Sequence, residues 1–194
     1  MTNKTNLARA LFALVAAIAV TLVVASPASA SKLGSSTLKP NHGTFEGFAD
    51  IGIGVETTGK AKGTDKGLHF PITRGSVDPE TGKAKFWHTG GLKFSYNGMS
   101  VEFSDFIVKV AGKKNLIKGD IGSGKTRFAD LNAKKIDIQE KKDGKLLYSN
   151  IKVFLAKKGA KLIEKELGLG SDYDLAGIKL GKLTTKFKSG GAGL

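Results

Sequence analysis

The chain has 194 residues, 31 basic and 17 acidic, for a formal charge of +14, and it contains no cysteine. That is a single-domain length, and the missing cysteine excludes disulfides, thiolate metal sites and a cysteine nucleophile. The 40% hydrophobic content excludes wholesale disorder, because such a chain can bury enough apolar surface to offset its ordering entropy.

Lys4 and Arg9 precede an uncharged run from Ala10 to Val24, and Pro27-Ala28-Ser29-Ala30 follows it with small residues. A positive start, an apolar run of about 15 residues and an A-x-A site form the pattern of a secretory signal peptide. The run is short of the roughly 20 residues that a bilayer span needs. Residues 1–30 are therefore predicted to be a cleaved signal and the mature protein to be secreted, extracellular or associated with the cell envelope. No transmembrane anchor is expected after cleavage. The mature chain keeps 29 basic and 17 acidic residues, a formal +12 over 164 residues.

Residues 31–43, rich in Ser and Lys with Pro40, are predicted to be a flexible leader. A domain over residues 44–188 comes next, and then a Gly-rich tail over residues 189–194. Leu68, Phe70 and Ile72 alternate as in a strand, and Pro71 marks an edge position. Asp78-Pro79-Glu80-Thr81-Gly82 is a turn, with Pro presetting φ and Gly taking a positive φ. Phe86, His88, Gly90, Leu92 and Phe94 share one parity and so face one side of a strand. Asn97-Gly98 is a tight hairpin signal.

On the return strand the apolar phase slips at Ser104-Asp105, which predicts a β-bulge. Leu116–Ile121, Ile136–Ile138, Leu146–Leu155 and Ile178–Phe187 read as further strands, with Asp143-Gly144 as a second hairpin turn. Ala160, Ile163 and Leu167 sit at helical spacing, and Gly168 and Gly170 end that helix. The expected fold is an all-β antiparallel sandwich or barrel-like domain, with one short α-helix near the C-terminus.

Gly119-Asp120-Ile121-Gly122-Ser123-Gly124-Lys125-Thr126 matches the phosphate-loop pattern letter for letter. Its context does not fit: such a loop comes after a buried parallel strand and opens a long helix. A Gly-Ser-Gly hairpin turn is predicted there. His42, His69 and His88 show no helical metal-ligand spacing, and there is no G-x-S-x-G nucleophile elbow. The reading is non-enzymatic, with no catalytic residue and no metal site.

His88 has two readings, a core histidine hydrogen-bonded to a neighbour or a ligand-pocket residue. Gly90 leaves room for either a ligand or a close backbone. Trp87 has the opposite parity and should be partly exposed, and His69 should lie on the surface. The lysines also have two readings, solvation of strand faces or attraction to polyanions. A nucleic-acid partner is not expected, because base readout favours arginine and only Arg74 and Arg127 remain in the mature chain.

The stretch Phe70-Pro71-Ile72-Thr73-Arg74-Gly75, the turn Asp78-Pro79-Glu80-Thr81-Gly82 and the strand His88-Thr89-Gly90-Gly91-Leu92-Lys93-Phe94 resemble the HtaA domain family. The resemblance covers most of residues 44–187. Members of that family are secreted or surface domains of actinobacteria, and they include haem-uptake proteins. These bind haem through a tyrosine in the N-terminal part, supported by the histidine of the H-x-G-G strand. The histidine carries over to His88. The tyrosine has no counterpart, since Tyr96, Tyr148 and Tyr173 all lie beyond that histidine, and Phe45 and Phe48 stand in the segment where it would be.

The resemblance implies a module binding haem or another apolar small ligand near His88, Phe86, Phe45 and Phe48. The alternative is a basic envelope protein contacting anionic cell-envelope polymers.

Overall fold

Asn97 and Gly98 adopt φ of 46° and 80°, the two positive values that a tight two-residue hairpin needs. From this turn two long arms run back. In the computed structural model, which describes residues 33–78, 80–112, 114–141 and 144–188, those arms belong to a sheet of twelve strands. The expected signal peptide and the Gly-rich tail lie outside the described residues, as do Pro79 and Asp143 of the two other predicted turns.

In chain order the elements are β1 (Gly34–Pro40), α1 (His42–Asp50), β2 (Gly54–Thr58), β3 (Lys62–Thr64), β4 (Gly67–Val77), β5 (Ala84–His88), β6 (Gly91–Tyr96) and β7 (Met99–Val110). Next come β8 (Leu116–Asp120), β9 (Lys125–Asn132), β10 (Asp137–Glu140), β11 (Lys145–Leu155), α2 (Lys157–Glu166) and β12 (Lys179–Lys188). Strands β7, β5, β4, β1, β12, β11, β9 and β8 are hydrogen-bonded in that order, and β8 pairs back to β7. The expected sandwich or barrel is thus a closed antiparallel barrel of eight strands. Closure removes the exposed edges that an open sheet would present. Strands β6 and β2 extend beyond β7, β3 pairs with β4, and β10 pairs with β11.

The predicted single strand from Phe86 to Phe94 is two strands, β5 and β6, both paired with β7. The break at Thr89-Gly90 faces the predicted bulge. Asp105 has a φ of 45°, its N–H donates to the Gly90 carbonyl at 3.0 Å, and the β7–β8 register shifts between Ser104 and Ile107. Pro71 is not at an edge, since β4 lies between β5 and β1. It stands where β4 ends its pairing with β1 and goes over to β5, so the missing N–H falls at a change of partner.

Two segments differ from expectation. The predicted leader holds β1, which pairs with β12 along its whole length and with β4 from Ser35 to Leu38. Without it the barrel would be open. The chain also has a helix that the sequence pattern did not predict. Asn41 caps α1 by accepting from the Thr44 N–H at 3.2 Å, and Phe48 on that helix is buried and meets Phe94 edge-on at 6.4 Å. The predicted C-terminal helix is α2, whose Ala160 and Ile163, with Leu167 just beyond its end, are fully buried.

Aromatic rings fill the barrel. Phe103 and Phe106 each lie within 5.2 Å of Phe128, centroid to centroid, and Phe106 meets Phe70 edge-on at 5.4 Å.

Candidate functional site

His88 ends β5 with its side chain inside the barrel and only 3% exposed. Its Nδ1 is 3.1 Å from the Phe106 carbonyl. A carbonyl only accepts, so Nδ1 carries the proton and Nε2 is the free lone pair. Nε2 accepts from the Ser36 hydroxyl at 2.8 Å, and Ser36 Oγ is in turn 2.7 Å from Thr185 Oγ1. The Ser36 hydrogen is committed to the imidazole, so Thr185 is the donor to Ser36. The chain therefore runs from β12 through β1 and β5 to β7, and each buried polar group in it has a partner.

Burial of the imidazole lowers its pKa to about 4, against the opposing effect of the Phe106 hydrogen bond. At neutral pH His88 is an uncharged strut.

The space beside this chain is small. Ser36, Leu38, Phe70, His88, Leu92 and Phe128 are among the residues lining a cavity of about 20 Å³, enough for about one water molecule. Gly90 does not open it. A Cβ on Gly90 would stand 2.2 Å from the Ala61 nitrogen and 2.8 Å from the Thr58 carbonyl oxygen. Of the two roles considered for Gly90, the close backbone is the one observed.

The other predicted ligand residues have other neighbours. Phe86 is fully buried against Tyr148 and Phe187, at 5.4 and 5.2 Å. Phe45 and Phe48 sit on α1, 6.0 Å from each other. None of Phe86, Phe45 and Phe48 lines the His88 cavity, and neither does any tyrosine. Ser36 and Thr185 are the partners that sequence reasoning missed, and no hydropathy pattern marks them, because both are polar residues turned inward. Among the described residues no group of three or more His, Asp or Glu is placed to hold a metal, and no helix is long and apolar enough to cross a membrane.

His69 is half-buried, and its Nδ1 lies 3.4 Å from Thr37 Oγ1. Desolvation and then Lys62 lower its pKa. The phosphate-loop look-alike is the β8–β9 hairpin: the Ile121 N–H donates to the Gly124 carbonyl, and Asp120 accepts from the Gly122 N–H and pairs with Lys125 at 3.3 Å. Lys125 and Thr126 open strand β9 where a phosphate loop would open a helix.

The outer face carries the charge. Lys39 of β1 stands opposite Lys182 of β12, which stands opposite Lys152 of β11. Across the ring, Lys85 of β5 stands opposite Lys109 of β7. Trp87, half-buried as expected, has the Arg74 guanidinium 3.9 Å and the Lys85 ammonium 4.2 Å from its ring centroid.

No curated protein shows significant similarity to the chain. Among solved structures, the C-terminal domain of HtaA from Corynebacterium glutamicum superposes with a TM-score of 0.60 at 14% identity, over 80% of this chain and 98% of that one. The N-terminal domain of the same protein gives a TM-score of 0.57 at 14% identity, over 83% and 99%. At these identities the likeness is one of fold. A sequence model for HtaA (Htaa) matches residues 45–178. That match spans most of the barrel, both arms of the Asn97-Gly98 hairpin and α2, and by it the chain belongs to the HtaA family.

Proposed function

We propose that the chain is an exported, non-enzymatic binding module of this haem-uptake-associated family, and that it works through its basic outer face on anionic polymers of the cell envelope. The observation that carries this reading is the opposition of like charges on neighbouring strands, Lys39–Lys182–Lys152 on one side of the barrel and Lys85–Lys109 on the other. Like charges directly opposite in a sheet are destabilising. An external polyanion would relieve that cost and be attracted by the field.

Pelleting of the mature protein with isolated cell walls tests the reading. Retention at low salt that is lost as salt is raised supports it, because screening weakens contacts between exposed charges. Solubility independent of salt and walls refutes it.

A second reading, haem or another apolar ligand held beside His88, is favoured by that residue's place among apolar cavity walls. Against it, a pocket for a ligand of that size needs about 300–1,000 Å³, whereas the cavity has about 20 Å³. Both imidazole nitrogens are also already bonded. Titration with ferric haem separates the two. The outer-face reading expects no saturable Soret shift. A shift that saturates at one haem per chain and vanishes in His88→Ala would establish the second reading.

A further inference from the structure

We propose that the outer face of β4, β5, β7 and β8 around Trp87 is a docking surface for a flexible, linear phosphate-bearing polymer of the cell envelope laid across the strands. This rests on the reading of the chain as a module for anionic polymers, and it assigns that role to one patch.

The register builds the patch. Arg74 stands opposite Trp87, Trp87 opposite Ile107, and Ile107 opposite Lys118. The neighbouring row sets Lys85 opposite Lys109. Four cations on four adjacent strands thus share the face that carries Trp87. Ile107 beneath them is only 8% exposed, consistent with long basic side chains lying over it with their charged heads outward.

Trp87 holds two of those heads, Arg74 and Lys85, against its ring. The pKa of Lys85 is lowered, first by desolvation and then by Lys109, Arg74 and Lys118, so its neighbours in the patch all repel it. Asp120, two residues from Lys118 on β8, pairs with Lys125, and Asp130 on β9 pairs with Arg127. Among the described residues none of Arg74, Lys85, Lys109 and Lys118 forms an ion pair with a carboxylate.

The fold therefore assembles an uncompensated positive patch across four adjacent strands, and its complement is a line of anions. Strands in a sheet lie about 4.8 Å apart. Successive phosphates on a flexible chain, each with two free oxygens, can meet the cations of neighbouring strands in turn. The Lys39–Lys182–Lys152 row across the ring has comparable charge but no aromatic residue among its three members.

Trp87 is the only tryptophan in the chain, so its emission reports on the patch itself. The full-length mature protein is titrated with long-chain inorganic polyphosphate. The expected result is a saturable change in Trp87 emission, weakened about tenfold in Lys85→Ala/Lys109→Ala, with the log–log salt slope shallower by about 1.4, near 0.7 per lost phosphate contact. Lys157→Ala/Lys161→Ala, an exposed i,i+4 like-charge pair on α2, should stay within about twofold of wild type, since it removes the same charge away from the patch. Both variants relieve like-charge opposition, so folding should survive, and circular dichroism checks that.

Equal weakening in the two variants would overturn the proposal in favour of net charge alone. So would polyphosphate binding, seen by sedimentation, that leaves Trp87 emission unchanged, or tighter binding to duplex DNA of equal charge. Cell walls separate this inference from the wider reading. Equal retention of wild type and Lys85→Ala/Lys109→Ala refutes the patch and leaves the module reading standing, whereas no retention of wild type removes both.

Discussion

Replacing Ser36 by alanine removes one oxygen from the middle of the buried chain. His88 Nε2 loses its donor and the Thr185 hydroxyl loses its acceptor, and these residues are 3% and 0% exposed. A buried polar group left unpaired costs about 1–3 kcal/mol, and here two are left. A water in the adjacent cavity of about 20 Å³ could bridge part of the gap and bring the cost toward its lower end. The expected loss is about 2–4 kcal/mol, a large fraction of the 5–15 kcal/mol or so by which a domain is stable.

Urea unfolding measures it. With a slope of about 2 kcal/mol/M, the midpoint should fall by about 1–2 M. In a His88→Leu background the acceptor is already gone. Ser36→Ala should then cost less, with a coupling of about 1–2 kcal/mol. A Ser36→Ala loss under about 0.5 kcal/mol, or additive single effects, would refute the closed His88–Ser36–Thr185 chain.

Stability should also depend on pH through His88. Its folded pKa of about 4 lies below the usual 6.5, so the unfolded chain binds the proton first. The contribution is complete above pH 6.5 and is lost as pH falls toward 4, about 3 kcal/mol in all at roughly 1.4 kcal/mol per unit. Urea midpoints across this range should show the slope in wild type and a flatter limb in His88→Leu. Lys125→Ala should change stability by less than about 1 kcal/mol, because its pair with Asp120 is exposed and such pairs contribute little. Calorimetry should find no ATP binding in either form, and saturable binding lost in the variant would restore the phosphate-loop reading. Gly159→Ala in α2 should destabilise, although alanine is favoured in helices by about 1 kcal/mol. The added Cβ would stand 2.5 Å from the Phe128 carbonyl oxygen, and a higher thermal midpoint would refute that packing.

The sequence showed most of the sheet because strands such as β5, β6 and β7 alternate apolar and polar residues, and because Asn97-Gly98 and Ser104-Asp105 mark the turn and the bulge. It hid β1 for a physical reason. Of the two residues that β1 buries, Leu38 is apolar but Ser36 is polar, since that position supplies the hydroxyl that His88 accepts from. A strand whose inward face carries part of a hydrogen-bond chain shows only half of the hydrophobic pattern that would reveal it. Helix α1 was obscured differently: Gly43 and Gly47 lower its propensity, and Phe48 packing supplies what the local sequence lacks. The Asn41 cap and the spacing of Phe45 and Phe48 were the available signals.

The same logic governs the functional reading. A histidine on an apolar strand face draws attention, but parity alone cannot say what its nitrogens meet. The answer lay in residues 52 and 97 positions away, Ser36 and Thr185, neither of which any motif connects to His88. With both nitrogens engaged and Phe103, Phe106 and Phe128 packed beside them, the barrel interior acts as a core. The proposed function therefore turns to the outer surface, where strand pairing sets like charges face to face. A charge of +14 spread evenly would only keep the protein soluble. Arg74, Lys85, Lys109 and Lys118, brought onto one face with the single tryptophan by the register of four strands, form a patch that a linear polyanion can match.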